Sequence, residues 1–183
     1  MEIVVVTPPV REPLVLSEVK TFLRVDHDFE DGYIAALIAA AREYCEAYQR
    51  RAFINRELLV RIEKPQGVIK LPYPPLQTVL SVKYWDEHGL VHQLEESEYT
   101  QDVVSVPGRV IPTGNWLCSA KTIEVRYLAG YGEEPSFIPN SVKVAMLLLI
   151  GYWFENREAV TNVNGTTEFA VKALLDMERV VAV

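Results

Sequence analysis

Apolar residues in the first third of the chain recur at three- and four-residue steps, the spacing that places them on one face of a helix. Val19, Phe22 and Leu23 follow Ser17, which stands as an N-cap just after Pro13 and Leu14, and predict a short first helix. Asp28 predicts the cap of a second helix running to about Arg50, with Asp31 in its first turn. Its apolar face carries Phe29, Tyr33, Leu37, Ile38, Ala41, Tyr44, Cys45 and Tyr48, and its polar face Glu30, Arg42, Glu43, Glu46 and Gln49. Ala35, Ala36, Ala39 and Ala40 leave room for a second helix to approach, so the pair reads as a helical hairpin.

After Arg51 the period falls to two. Leu58, Val60 and Ile62 alternate against Glu57, Leu59 and Arg61, and Leu80, Val82 and Tyr84 against Ser81 and Lys83, which predicts strands. Asp86-Glu87-His88-Gly89 reads as the turn of a hairpin between Val79–Trp85 and Leu90–Leu94. Val103 to Ile111, broken at Pro107-Gly108, and Thr122 to Leu128, with Ile123, Val125 and Tyr127 on one face, add further strands. Pro139 with Asn140-Ser141 then opens a helix whose most apolar face is Val142, Ala145, Met146, Leu149 and Trp153. Its other faces are nearly as apolar, which makes it the central member of a bundle. Thr161 to Thr167 reads as a polar loop, and Phe169 to Val180 as a terminal helix with Phe169, Val171, Leu174 and Leu175 apolar. The expected fold class is α+β: a helical bundle, made of residues 1–51 and 135–183, with an antiparallel β unit at 52–134 inserted between its halves. Phe29, Tyr33, Leu37, Leu149 and Trp153 are expected in the bundle core.

Composition narrows the function. At 183 residues, 49% hydrophobic and 23% charged, the chain is globular and not disordered. Its net charge of -7 is the wrong sign for a protein that grips phosphates. Met1 to Val6 lacks the basic start of a signal peptide, and Val142 to Phe154 is shorter than the roughly 20 residues of a membrane span. Cys45 and Cys118 have neither zinc-ribbon nor disulfide-framework spacing and read as reduced, buried thiols.

Candidate chemistry is sparse. His88-x-x-x-His92, beside Asp86 and Glu87, has metal-ligand composition, but the step crosses a hairpin turn, where polar residues are routine. His27 lies between Asp26 and Asp28 in an interhelical loop. The sequence contains no G-x-S-x-G, H-E-x-x-H, P-loop or G-x-G-x-x-G motif, and Glu95-Glu96 and Glu133-Glu134 are adjacent acids that point apart. Aromatics cluster in the β unit, from Tyr73 to Tyr131. Residues 51–110 nevertheless hold seven Lys or Arg against eight Asp or Glu, which favours packing and subunit contact over a single-strand nucleic-acid platform.

Four segments, in order, resemble the head-tail connector or head-completion adaptor proteins of long-tailed bacteriophages and gene transfer agents. They are Leu16-Ser17-Glu18-Val19-Lys20-Thr21-Phe22-Leu23-Arg24-Val25 with the Asp28-Phe29-Glu30-Asp31 helix start; Leu71-Pro72-Tyr73-Pro74-Pro75-Leu76; Val125-Arg126-Tyr127-Leu128-Ala129-Gly130-Tyr131-Gly132; and Ile138-Pro139 leading to Gly151-Tyr152-Trp153-Phe154-Glu155-Asn156-Arg157-Glu158-Ala159. The resemblance implies a structural virion protein with no catalytic residues, cofactor or metal. It would be a homo-oligomeric ring, a dodecamer in the family's manner, beneath the portal protein. The ring would meet the next neck or tail-completion protein and let double-stranded DNA pass without sequence-specific binding. The implied place is the virion neck, with assembly in the bacterial host cytoplasm and no membrane. Glu155, Asn156, Arg157, Glu158, Asn162, Asn164 and Phe169 are the expected portal contacts. An unrelated soluble enzyme or ligand-binding module would instead use an aromatic pocket in the β unit, with His88, His92 and Trp85 as its first residues.

Overall fold

The computed structural model describes residues 1–157 and 165–180 and divides them into two compact units. One unit comprises Met1–Val10 and Asn55–Tyr131, and the other Arg11–Ile54 with the chain from Gly132 onward. The fold class is α+β, with the strands of residues 56–129 inserted between the second and third helices.

The first unit holds a five-stranded antiparallel sheet and a smaller three-stranded one. The large sheet orders β1 (Glu2–Thr7), β2 (Arg56–Glu63), β8 (Thr122–Ala129), β4 (Leu76–Trp85) and β5 (Val91–Gln93). The small one orders β3 (Ile69–Lys70), β7 (Arg109–Pro112) and β6 (Tyr99–Asp102). Directly opposed residues share a face, so the register Ile3–Val60–Val125–Val82 lines the core side, and Glu2–Arg61–Glu124–Lys83 the outer side. Leu58, Val60, Ile123, Val125 and Tyr127 are buried as their period-two pattern predicts. Glu2–Thr7, grouped with the helices in the sequence reading, instead forms β1.

Strand β4 departs from simple alternation: Leu76, Val79 and Val82 are buried while Leu80 is exposed. Register shifts at Leu76/Thr78 and Val79/Ser81 are the cause, because each irregularity resets which face the next side chain takes. The Val79 amide of the irregular stretch donates to Gln101 Oε1 of β6 at 2.9 Å. Of the stretch expected as strand from Val103 to Ile111 with a break at Pro107-Gly108, the part after the break is β7 and the part before it is a turn, and Gly108 sits where a Cβ would lie 2.4 Å from that of Leu76. The Leu71–Leu76 segment wraps the buried Tyr127, whose hydroxyl donates to the Pro72 carbonyl at 2.7 Å.

The second unit is the bundle: α1 (Leu16–Leu23), α2 (Asp31–Gln49), α3 (Asn140–Glu155) and α4 (Gly165–Asp176). Helix α3 packs against all three others, as its all-round apolarity predicts, and buries Val142, Ala145, Met146, Leu149 and Ile150. Helix α2 buries Ile34, Leu37, Ile38, Ala41 and Cys45, and α4 buries Val171 and Leu175. Helices α1 and α2 each close on an arginine in left-handed conformation, Arg24 and Arg50.

Several expectations fail here for identifiable reasons. Ser17 and Asp28 are not caps: α1 starts at Leu16 after Val15, and α2 at Asp31 after Glu30. Asp28 instead pairs with Lys20 at 2.6 Å, and Asp31 with the same ammonium at 2.7 Å. Phe29 therefore precedes the helix and is 95% exposed, not in the core, while Tyr33 and Tyr44 are also exposed and Trp153 is half-buried. Ala35, Ala36 and Ala40 face solvent within this chain. Arg42, Glu46 and Gln49, read as a solvated face, are buried. Arg42 Nε donates to Glu12 at 2.8 Å and its Nη1 to Glu46 at 3.1 Å. Glu46 also accepts the Phe53 amide at 2.8 Å, and Gln49 Nε2 donates to the Leu175 carbonyl at 2.6 Å. Charge-assisted hydrogen bonds make such burial tolerable.

Candidate assembly surface

The end of α3 carries the expected contact residues. Asn156 ends the helix, its amide and side chain both donating to the Tyr152 carbonyl at 3.0 and 2.8 Å. Arg157 turns back onto the bundle. It pairs with Glu30, which holds the guanidinium firmly protonated, and lies 4.9 Å from the ring centroids of both Tyr33 and Phe154. Those two rings are tilted neighbours with centroids 6.1 Å apart, and the Tyr33 hydroxyl donates to the Trp153 carbonyl at 3.4 Å. Arg157 thus joins the start of α2 to the end of α3, and Glu155 beside it faces solvent. Phe169, on α4, is 75% exposed and not a core residue. Glu158, Asn162 and Asn164 lie outside the described residues.

Two grooves open beside this end of the bundle. One, of about 150 Å³, is lined by Tyr44, Leu149, Tyr152, Trp153 and Val171 among others, with Trp153 edge-on to Tyr44. The other, of about 490 Å³, lies along Phe22, Leu148, Gly151 and Phe154. Gly151 lets α1 approach closely, since a Cβ there would sit 3.1 Å from the Phe22 ring.

The histidine hairpin of the sheet unit has a structural job. Asp86 accepts the amides of His88 and Leu90, each at 2.9 Å, and its other oxygen lies 3.0 Å from His92 Nε2. These contacts, led by His92, hold the Asp86 carboxyl below its usual range. His92 stacks on Tyr84 across the ladder at 4.7 Å, and Tyr84 on Trp116 at 5.7 Å, while Trp85 lies under the Arg61 guanidinium. The rings of His92, Tyr84 and Trp116 stack in series beside the hairpin. Among the described residues, no group of three His, Cys, Asp or Glu side chains is arranged to hold a metal ion. Cys45 is buried, and desolvation raises its pKa to about 12; Cys118, expected buried, is exposed. No helix among the described residues is long and apolar enough to cross a membrane.

The family model for the phage gp6-like head-tail connector protein matches residues 14–107, and the chain belongs to that family. It is a structural connector and not an enzyme. Among solved structures, a chain from the virion of a native gene transfer agent particle is similar with a TM-score of 0.83 at 23% identity, covering 100% of this chain and 97% of the other. A chain in the neck of the empty particle, computed with C6 symmetry, is similar with a TM-score of 0.79 at 22% identity and the same coverage. One in the neck of the native particle, computed with C12 symmetry, gives 0.69 at 21%, also with that coverage. Comparison with the curated proteins gives no match.

Proposed function

We propose that the protein assembles as a homo-oligomeric ring in a virion neck, seated beneath a portal protein and presenting its far side to the next neck or tail-completion protein. The observation that carries this reading is the full-length likeness to neck chains solved with cyclic symmetry, joined to membership in the connector family. Double-stranded DNA would pass through the ring without sequence-specific contact. A net charge of -7 suits such a conduit, because an acidic wall repels phosphate and lets the duplex slide. Assembly would take place in the bacterial host cytoplasm.

The portal contact is assigned to Glu155, Asn156, Arg157 and Phe169 together with Glu158, Asn162 and Asn164. What supports it is the large exposed ring of Phe169 and the solvent-facing Glu155. Deleting everything after Asn156 is a poor test, because it also removes the buried Val171 and Leu175. Point variants Phe169→Asp and Glu155→Lys probe the contact with the bundle intact. Light scattering after size exclusion, on the chain alone and mixed with the portal protein of the same genome, should read a ring mass or a portal-dependent complex, lost in the two variants. A chain that stays monomeric and ignores the portal would overturn the ring reading. Variants that dock like the parent would overturn the contact assignment.

A further inference from the structure

Strand β1 is an edge strand whose protection is confined to Glu2 at its start and a register irregularity between Val5 and Thr7. Its sequence, Glu-Ile-Val-Val-Val-Thr, is exposed at every position, and its one partner strand is β2. Ile3 and Val5 lie on the core side of the sheet, directly opposite Val60 and Leu58. Those β2 residues are 0% and 1% exposed, whereas Ile3 and Val5 are 36% and 50% exposed. The apolar layer therefore runs one strand further than this chain covers it. The apolar stretch Ile3 to Val5, ahead of that irregularity, offers outward amides and carbonyls as a template for another strand.

The opposite edge of the same sheet is β5, which exposes Leu90 and Val91. The Asp86 amide donates to the Leu90 carbonyl and the Leu94 amide to the Val82 carbonyl, so the bonded pairs alternate along the hairpin. Backbone groups of Val91 and Gln93 consequently point away from β4. Charge also distinguishes the edges. The outer-face row reads Glu2, Arg61, Glu124, Lys83, Gln93 from β1 to β5, alternating in sign from an acidic start to a basic residue one strand from the far edge, with Arg61 and Glu124 paired at 2.9 Å. Setting the β1 edge of one copy beside the β5 edge of the next brings the acidic Glu2 row against an uncharged edge with the base Lys83 one strand further in, so no like charges meet. Two β1 edges placed together bring acid ends with no base to meet them.

We propose that β1 of one subunit adds to β5 of the next copy of this chain, joining the sheets around the ring. Two unlike edges at opposite sides of one sheet are what a head-to-tail, cyclic contact requires, whereas a β1–β1 pairing would stop at a two-fold dimer. The five strands alternate in direction, so β1 and β5 run the same way and the joint between copies is parallel. The inference rests on the ring reading above.

Cysteine cross-linking tests it in full-length chains carrying Cys118→Ser, which removes the exposed native thiol. Val4→Cys and Val91→Cys substitute exposed positions on the two edges. Oxidation should give disulfide dimers from a mixture of the two single variants, none from either alone, and a ladder of multimers from the double variant in the presence of the portal protein. As a second readout, Val5→Glu should shift the assembled mass toward monomer while leaving the thermal melt of the chain unchanged. Assembled rings without the cross-link, or cross-linking by Val4→Cys alone, would overturn the edge pairing and leave the ring reading standing. Absence of any assembly by light scattering would overturn both.

Discussion

Replacing Arg42 by Ala is expected to be among the most destabilising single changes on a polar residue of this protein. The guanidinium is buried on α2 and holds Glu12 and Glu46 at 2.8 and 3.1 Å. Burial works against its charge, but the two carboxylates outweigh that and keep it protonated above its usual range. Glu46 is itself 3% exposed, so truncating Arg42 leaves a carboxylate in the interior without its cation. Removing one partner of a buried pair costs about 3–5 kcal/mol. The lower end applies, because Glu46 keeps the Phe53 amide and Glu12 is partly solvated. At about 2–4 °C per kcal/mol for a chain of this size, a cost near 3 kcal/mol lowers the melting temperature by about 6–12 °C. The helical circular-dichroism signal, followed in urea and on heating, reads the bundle directly. Arg42→Lys should recover part of the loss, since an ammonium keeps the charge but not the two-directional fork. Arg42→Met with Glu46→Gln should be milder than Arg42→Ala alone, because it removes both charges and still leaves an oxygen for the Phe53 amide. An Arg42→Ala chain within about 0.5 kcal/mol of the parent would refute the reasoning.

Native thiol titration should label Cys118 and leave Cys45 unreacted at mildly alkaline pH, with both reacting in denaturant; prompt native labelling of Cys45 would contradict its burial and its pKa near 12. Tyr127→Phe should cost about 1–3 kcal/mol in urea unfolding, since the Pro72 carbonyl loses its buried donor. The Asp86 carboxyl titrates below its ordinary value when folded, so its contribution is present above the unfolded pKa and lost as pH falls through the folded one; His92→Ala should move the NMR titration midpoint of Asp86 upward, and an unmoved midpoint would remove His92 as the main cause. Gly108→Ala should destabilise the sheet unit by about 1–3 kcal/mol through overpacking against Leu76, measured by the same urea titration.

The sequence pattern locates helices and strands wherever one periodicity holds over a long stretch. Helix α3, apolar on every side, and β8, with Ile123, Val125 and Tyr127 in step, are where the pattern puts them, because burial on a regular element leaves a regular trace. Three features leave no such trace. Val79 and Val82 are three apart because irregular pairing changes the face, and nothing in Leu-Gln-Thr-Val-Leu-Ser-Val announces it. Arg42, Glu46 and Gln49 look like a wet stripe because their partners, Glu12, the Phe53 amide and the Leu175 carbonyl, lie far along the chain or belong to the backbone. The apolar run from Ile3 to Val6 is too short and unbroken to show a period, and reads as strand only once β2 supplies a partner. The end of α3 was legible as a place, but the engagement of Arg157 with Glu30, Tyr33 and Phe154 was not, since it depends on how α2 and α3 run past each other.

The same contacts explain why composition alone is a poor guide to chemistry here. Three of the polar groupings among the described residues are occupied in structural contacts. Asp86 and His92 lock a hairpin, Arg157 and Glu30 tie two helix ends, and Arg42 joins Glu12 to Glu46 inside the bundle. A carboxylate already accepting two or three hydrogen bonds is held ionised and is a weak proton acceptor, which argues against acid–base work at Asp86 on physical grounds. Apolar surface is left exposed at Ile3 to Val6 of β1, at the Phe29 ring before α2 and at Phe169 on α4. Water gains by covering such surface, and covering it needs another protein surface and no reactive group. An inert scaffold with polar joints inside and apolar edges outside is the physical description of a part whose function is to be joined to its neighbours.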